Sequence, residues 1–117
     1  MLKRFVYLKK RAGMSTESFI DYYETKHVPL VLSLAPPPLV YKRHFLIRGD
    51  EFNSGEDDLD FDVVAEFGWA DRDTQLAWFG AISAAADRLA ADEVNFLDRS
   101  RVRSVLIEER VTTEKPT

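Results

Sequence analysis

The sequence contains no cysteine, which excludes disulfide bonds, thiolate metal ligands and a cysteine nucleophile. It also lacks any apolar run that approaches the ~20 residues needed for a membrane-spanning helix. At the amino terminus, basic residues flank a very short apolar segment on both sides, which is not the pattern of a secretory signal peptide. We therefore expect a cytoplasmic protein without a membrane partner.

Basic residues are too few for a nucleic-acid-binding protein. The chain has 16 lysines and arginines against 20 aspartates and glutamates, a net charge of -4 and a pI of about 5.2. A protein that binds nucleic acid needs a basic surface to displace counterions from the phosphates. The charge balance therefore argues against a nucleic-acid partner.

Histidine is also scarce, and this limits the cofactors that the chain can hold. His27 and His44 are the only two histidines, they fall in different predicted elements, and their spacing is not that of metal ligands. No glycine-rich phosphate-binding loop is present. We therefore expect neither a metal nor a nucleotide cofactor.

The sequence does have the composition of one globular domain. Of its 117 residues, 45% are hydrophobic and 31% are charged, which is enough for one core. We place the domain at residues 1–110 and a polar tail at residues 111–117. The hydrophobic patterns predict strands at 2–11, 39–48, 60–69 and 101–109, and helices at 15–34 and from 71 towards 97. This βαββαβ order predicts a ferredoxin-like α+β sandwich with both helices on one face of the sheet.

The first helix carries a histidine in the middle of its apolar stripe. The other residues on that face are apolar or aromatic: Phe19, Ile20, Tyr23, Leu30, Val31 and Leu34. Pro29 removes a backbone N–H two residues after His27, so we expect the helix to kink or end beside this ring. An inward imidazole is a candidate for acid–base chemistry. The commoner alternative is a core histidine paired with a carbonyl and a water.

The strand at 60–69 places an acid inside the predicted sheet. One of its faces carries Phe67 and Trp69, and the other carries Asp62 and Glu66. A carboxylate in the middle of a strand is expected to be paired or in contact with water. Glu66 is therefore either half of a cross-strand ion pair or a site residue.

Several strands carry long or apolar side chains on both faces, although the helices cover only one face. A partly apolar sheet face that is left exposed usually has a partner. We therefore expect a homodimer in which two sheets pack face to face, as a dimeric α+β barrel.

Four segments resemble the EthD family, which belongs to the dimeric α+β barrel superfamily. They are GMSTESFIDYYETKHVPL at 13–30, YKRHF at 41–45, DFDVVAEFGW at 60–69 and ADEVNFLDRS at 91–100. The first segment is the most specific. The long loop before residue 60 and the NFLDRS segment are most similar to EthD-type dehydratases of polyketide pathways.

The resemblance implies a set of corresponding residues. The family's helix histidine corresponds to His27, and the proline that follows it corresponds to Pro29. The acid of the family's D-x-x-x-E strand pattern corresponds to Glu66, with Asp62 four residues earlier, and the asparagine of the last motif corresponds to Asn95. The superfamily includes cyclases, dehydratases and cofactor-free monooxygenases, so the fold alone does not determine the reaction.

Our first hypothesis is a cofactor-free lyase that dehydrates or cyclises an aromatic or polyketide-like small molecule. His27 removes a proton next to a carbonyl, Tyr23 orients His27 or donates to the enolate oxygen, and Glu66 is a second acid–base group. Further donors and flat walls for the substrate are expected from Phe19, Tyr7, Tyr41, Arg43, His44, Asp62, Phe67, Trp69, Asn95 and Phe96.

Two other functions require the same pocket. A cofactor-independent oxygenase uses His27 or Glu66 to form the anion of a phenol or anthrone, which then reacts with O₂. A non-catalytic dimer binds a hydrophobic metabolite and needs no titrating group. The sequence leaves open which of these applies, and also whether His27 and Glu66 share one pocket.

Overall fold

The computed structural model of the chain describes residues 1–116, and its elements follow the predicted order. The strands are β1 (Leu2–Leu8), β2 (Val40–Phe45), β3 (Val63–Trp69) and β4 (Arg103–Ile107). The helices are α1 (Thr16–Tyr22), α2 (Val28–Leu34), α3 (Arg72–Ala84) and α4 (Ala86–Glu93), and a π-helical turn (Tyr23–His27) joins α1 to α2. The predicted α+β fold is thereby confirmed.

The four strands form one antiparallel sheet in the order β2-β3-β1-β4. The two central strands, β1 and β3, pair along their whole length, from Leu2 opposite Trp69 to Leu8 opposite Val63. This order is that of the ferredoxin-like sandwich, in which each helix connects two strands that are not neighbours.

Alternation along β3 gives the sheet two different faces. Val63 is fully buried and belongs to a core cluster with Phe19 and Tyr23 from the first helical stretch. We call this side the helix face. The neighbouring positions, Val64 and Glu66, project to the other side, which we call the open face.

The first helix does not end at Pro29 but continues to Leu34. Its winding widens between Tyr23 and His27, where the N–H of Val28 donates to the carbonyl of Tyr23, five residues back. Pro29 then lies in the first turn of α2. The wider turn therefore accommodates the proline without a break, and His27 is the last residue of that turn.

The helices that follow β1 and β3 both begin with a side-chain cap. Ser15 accepts a hydrogen bond from the N–H of Ser18 at 3.1 Å, and Asp71 accepts one from the N–H of Thr74 at 2.9 Å. Each bond satisfies one of the free donors of a first helical turn. Local side-chain chemistry therefore fixes where α1 and α3 begin.

Strands β2 and β3 are shorter than predicted because an arginine side chain, rather than a neighbouring strand, forms hydrogen bonds to backbone carbonyls of the loop between them. The guanidinium of Arg48 donates to the carbonyls of Leu59 and Phe61 at 3.0 and 2.6 Å. These carbonyls need no strand partner, so β2 ends at Phe45 and β3 begins at Val63.

The predicted polar tail is described up to residue 116, and its last residue, 117, lies outside the described part of the chain. Residues 111–116 form no helix or strand and are exposed. In residues 1–116, none of the helices has the length and apolar character that crossing a membrane requires.

Candidate active site

A cavity of about 300 Å³ lies between the helices and the helix face of the sheet. Most of its wall is apolar, and it includes both tryptophans of the chain, Trp69 and Trp78. His27 contributes an imidazole to this wall, and Arg4 contributes a guanidinium. A mainly apolar cavity with a few polar groups is the usual form of a small-molecule site.

His27 is held by an aspartate from helix α4. Its Nδ1 lies 2.7 Å from Oδ2 of Asp92, and the two residues are only 8% and 9% exposed. An ionised carboxylate can only accept hydrogen bonds, so we assign the proton of the neutral ring to Nδ1. Nε2 then carries the free lone pair, and within residues 1–116 it has no hydrogen-bond partner.

Two further side chains fix Asp92 in turn. The hydroxyl of Tyr22 donates to Oδ1 of Asp92 at 2.9 Å, and Nδ2 of Asn95 donates to that hydroxyl at 3.0 Å. Burial raises the pKa of Tyr22. The bond from Asn95 opposes this shift, and the bond to Asp92 reinforces it. A series of hydrogen bonds thus runs from Asn95 through Tyr22 and Asp92 to Nδ1 of His27, and it fixes the orientation of the imidazole.

Tyr23 lies one turn before His27, with its ring edge-on to the imidazole at a centroid distance of 5.0 Å. Burial raises the pKa of Tyr23 well above its usual value, so its hydroxyl stays protonated and acts only as a neutral donor or acceptor. Tyr23 also lines the cavity. It is therefore suited to hold a substrate oxygen rather than to remove a proton.

Tyr41 lies beside this group but does not line the cavity. Burial raises its pKa to about 12. Tyr23 and Tyr41 are near enough for each hydroxyl to affect the pKa of the other, but Oη of Tyr41 has no hydrogen bond of ordinary geometry to any described residue. Its ring stacks on Phe67 at 4.6 Å and supports that wall from behind.

Phe96 and Phe19 support the site residues from the core. Phe96 is fully buried, stacks on Tyr22 at 5.0 Å and lies 4.9 Å from the imidazole of His27. Phe19 lies 5.9 Å from both Phe96 and Tyr23. Neither phenylalanine lines the cavity, although both were predicted to contact the substrate.

Phe67 and Trp69 do line the cavity, as adjacent positions on the helix face of β3. Their rings are nearly parallel, with centroids 5.8 Å apart and an interplanar angle of 6°. Nε1 of Trp69 is buried and has no hydrogen-bond partner in the described residues. These walls are therefore flat.

Glu66 lies on the open face of the sheet and does not line the cavity. It accepts hydrogen bonds from Nζ of Lys3 at 3.0 Å and, with its other oxygen, lies 3.1 Å from Nε2 of His44. Burial alone raises the pKa of Glu66, but the bonds to Lys3 and His44 outweigh it and the net shift is downward. Glu66 and His27 are thus on opposite faces and cannot act on one molecule in the cavity.

The remaining predicted residues form structural contacts outside the cavity. The ring of Tyr7 packs edge-on against Phe61 at 4.9 Å, next to the β1–β3 pair. Arg43 binds Glu24 through Nε at 2.9 Å, and Asp62 accepts a bond from the N–H of Lys10 at 2.8 Å. His44 belongs to the Glu66 cluster described above.

Sequence reasoning missed Asp92, which is the most important partner of His27. The pattern did contain a sign of it, because Asp92 follows Leu89 by three positions and precedes Phe96 by four. It therefore falls on the buried stripe of its helix, where an unpaired carboxylate is costly. Arg4 and Trp78 were also missed, because their places in the cavity wall depend on how α3 crosses β1.

No metal-binding site is visible in the part of the chain that the structure describes. There, no three side chains of the histidine, cysteine, aspartate or glutamate type come together in a way that could hold a metal ion. The contacts of His27 and Asp92 are instead those of an oriented acid–base pair.

Comparisons with known proteins agree with this architecture. The family model of the EthD domain matches residues 11–100. An EthD family protein of Bacillus halodurans C-125 is 18% identical, with a TM-score of 0.62 over 94% of this chain and 100% of that chain. The At3g17210 protein of Arabidopsis thaliana is 13% identical, with a TM-score of 0.60 over 97% and 100%. At these identities the likeness shows the fold alone, and no curated protein matches the chain.

Proposed function

Because the chain belongs to the EthD domain family, whose model matches residues 11–100, we propose that it is a cofactor-free lyase of the dehydratase or cyclase type. Its substrate is an aromatic or polyketide-like small molecule that binds in the cavity between the helices and the sheet. The observation that carries the proposal is the imidazole of His27, which is held through Nδ1 by Asp92 and lines an apolar cavity.

The proposed reaction needs one group that first takes and then returns a proton. Nε2 of His27 removes a proton from the carbon next to a substrate carbonyl, and the C–H electron pair forms the enolate. The enolate then reforms the carbonyl and expels the hydroxyl on the β-carbon, which leaves as water with the proton that His27 carries. The carboxylate of Asp92 stabilises the intermediate imidazolium.

The hydroxyl of Tyr23, a residue of the cavity wall, is the proposed donor to the oxygen that becomes negative in the enolate. It stays protonated at any ordinary assay pH, because burial raises its pKa well above the usual value. Donors of this kind, fixed before the substrate binds, stabilise charge that develops in the transition state.

The form of the walls supports a flat substrate. Phe67, Trp69 and Trp78 present aromatic surfaces to the cavity, and a planar ring contacts such surfaces over a large area. A flat substrate that fills this apolar cavity displaces water from it, which strengthens the interaction between the imidazole and the developing charge.

Dehydration of a bicyclic β-hydroxy ketone tests the proposal. The β-hydroxy ketone of the tetralone series loses water to give naphthol, which is detected by its fluorescence. We expect His27→Ala to abolish the enzymatic rate above background while the circular dichroism spectrum stays unchanged. His44→Ala removes the other histidine, on the open face, and is expected to retain most of the wild-type rate.

Other outcomes of the same assay select the other functions. Oxygen consumption that depends on His27 would instead indicate an oxygenase. Ligand binding without turnover, and with the same affinity in His27→Ala, would indicate a carrier of hydrophobic metabolites. Either result would overturn the lyase proposal.

The proposal includes a homodimer in which a second copy covers the open face. Support comes from the apolar side chains of Phe5, Val64 and Val105 on that face, where Phe5 pairs with Val105 across the β1–β4 ladder. The two carboxylates beside them are ion-paired, because Lys3 binds both Glu66 and Glu109. A partly apolar face of this kind suits contact with its own copy.

A further inference from the structure

Arg4 is a charged residue in an unexpected place, because it lies on the helix face of β1 and lines the apolar cavity. Its Nη1 donates to Oγ of Ser104 at 3.3 Å, and its guanidinium lies over the ring of Phe79, 5.7 Å from the centroid. Its Nε is buried and has no acceptor in the described residues. No carboxylate of residues 1–116 forms an ion pair with it.

Two other half-buried cations of the chain, Lys3 and Arg43, do have carboxylate partners. Lys3, the neighbour of Arg4 on the opposite face, binds two carboxylates at 3.0 and 2.9 Å. Arg43 binds Glu24. The acid of the cavity wall, Glu93, lies 3.5 Å from Arg99. Arg4 is half-buried, its guanidinium has no carboxylate partner in residues 1–116, and its buried Nε has no acceptor there. A buried donor without a partner is costly.

We propose that Arg4 binds an anionic group of the substrate, and that this group is a carboxylate. The inference rests on the cavity being the ligand site of the proposed function, and it narrows the substrate class to flat hydrophobic molecules that carry an acid. A guanidinium presents its N–H donors in a planar fork that matches the two oxygens of a carboxylate. Ser104 holds one arm of the fork in place.

The positions of Arg4 and His27 on opposite walls of the cavity give the bound substrate an orientation. Arg4 belongs to the sheet wall of the cavity, and His27 belongs to the helix wall. A substrate whose carboxylate is fixed at the sheet wall presents another part of its ring system to Nε2 of His27. Arg4 therefore acts as a binding and specificity residue and takes no part in the proton transfer.

A matched pair of ligands tests this assignment. Naphthoate carries the carboxylate, and naphthamide is its neutral analogue of nearly the same shape. We expect calorimetric titration of the wild-type protein to give an affinity for naphthoate at least about tenfold higher than for naphthamide. Because both tryptophans line the cavity, quenching of their emission reports whether the ligand is bound there.

Three variants show whether Arg4 causes the preference. Arg4→Gln is expected to reduce the affinity ratio to about one, mainly by weakening naphthoate, and Arg4→Lys is expected to keep an intermediate ratio. Arg110→Gln removes the same charge from a side chain that is 84% exposed, and it is expected to leave the ratio unchanged. If Arg110→Gln also abolishes the preference for naphthoate, the preference depends on the net charge of the protein and not on Arg4, which would contradict the proposal.

The result also separates this inference from the lyase proposal. Equal binding of both ligands by the wild-type protein overturns the role of Arg4 while leaving the cavity and His27 as proposed. If neither ligand binds, the cavity is not the site and both proposals are wrong. Preference for naphthoate that Arg4→Gln abolishes supports the inference even if no turnover is found.

Discussion

At the scale of single residues, the chemistry depends on which nitrogen of His27 carries the proton. Asp92 decides this, because its carboxylate lies 2.7 Å from Nδ1 and Tyr22 occupies its other oxygen. Asn95 then holds the hydroxyl of Tyr22. The ring cannot turn over without breaking this chain of bonds, so the free lone pair stays on Nε2, on the side away from Asp92.

Asp92→Asn tests this control of the tautomer. The amide has no charge to stabilise the imidazolium, and it can donate to Nδ1 and so shift the proton to Nε2. We expect kcat to fall roughly 100-fold or more, as an oriented histidine loses its partner, while KM changes little because Asp92 does not line the cavity. Asp87→Asn, at an exposed position of the same helix, is the control and is expected to behave as wild type. An unchanged kcat in Asp92→Asn would contradict the role given to the pair.

Glu66 contributes to stability rather than to the reaction, and its contribution depends on pH. Its pKa is lowered in the folded chain from the ordinary 4.5 by hydrogen bonds from Lys3 and His44, which outweigh the opposing effect of burial. The stabilisation is therefore complete above the ordinary pKa and is lost as the pH falls through the lower, folded value.

Thermal unfolding between neutral pH and about pH 3 measures this contribution. Glu66→Gln is expected to unfold at a lower temperature than wild type at neutral pH, and the difference is expected to shrink as the solution is acidified below the ordinary pKa. Glu51→Gln, in the exposed loop, serves as the control with no difference at any pH. A gap for Glu66→Gln that grows on acidification would contradict the assignment.

At the scale of elements, the π-helical turn aligns the two site residues of the first helical stretch. Four residues of a regular α-helix rotate by about 400°, so Tyr23 and His27 would be offset by about 40° in a regular α-helix. The wider turn, closed by the bond from Val28 to Tyr23, rotates each residue by less than a regular α-helix does. It brings both side chains to the same cavity, and π-helical turns of this kind are frequent at functional sites.

Deletion of Thr25 tests the turn directly. Thr25 is exposed, so its removal costs little packing, but it converts the wide turn into a regular α-helical turn. His27 then follows Tyr23 by three residues instead of four, and the two side chains are offset by about 60°. We expect activity to be lost while helical circular dichroism is retained. Thr25→Ala keeps the length of the turn and is expected to retain activity. Comparable activity in the deletion variant would show that the turn is not needed to place the ring.

Much of the element structure could be predicted from local sequence. Ser15 and Asp71 are side-chain caps whose effect depends only on the next three residues, so their positions depend on local sequence alone. The π-helical turn could not be predicted, because Pro29 signals a disturbance without indicating how the backbone resolves it. The pairing of His27 with Asp92 joins residues 65 positions apart, so it depends on how two helices cross rather than on either helix alone.

At the scale of the whole molecule, the sheet separates two kinds of chemistry. The alternation of β3 predicted that Glu66 and Trp69 point to different sides, and the structure places them so. Which of the two sides carries the histidine depends on where the helices lie, and this is a property of the complete fold. The helix face holds the cavity with His27 and Arg4, and the open face holds the Lys3–Glu66–His44 cluster with the apolar side chains proposed to contact a second copy.

A charged residue on the open face tests the proposed dimer. Val105 is 46% exposed on β4, so Val105→Glu places a carboxylate where two sheets are proposed to meet and is expected to give monomers in sedimentation experiments. Val111→Glu, at a 56% exposed position of the tail, makes the same chemical change outside that face and is expected to leave the dimer intact. A wild-type chain that sediments as a monomer at all concentrations would contradict the proposal.

The central claim is that Nε2 of His27 takes a proton from carbon inside the cavity, and exchange of substrate hydrogen for deuterium measures this step alone. β-Tetralone is flat, has acidic C–H groups next to its ketone and has no hydroxyl to lose, so exchange in D₂O is followed by nuclear magnetic resonance without any later reaction. We predict that the wild-type protein accelerates the exchange, that His27→Ala returns it to the buffer rate, and that His44→Ala leaves it unchanged. Equal exchange with wild type and His27→Ala would contradict the account.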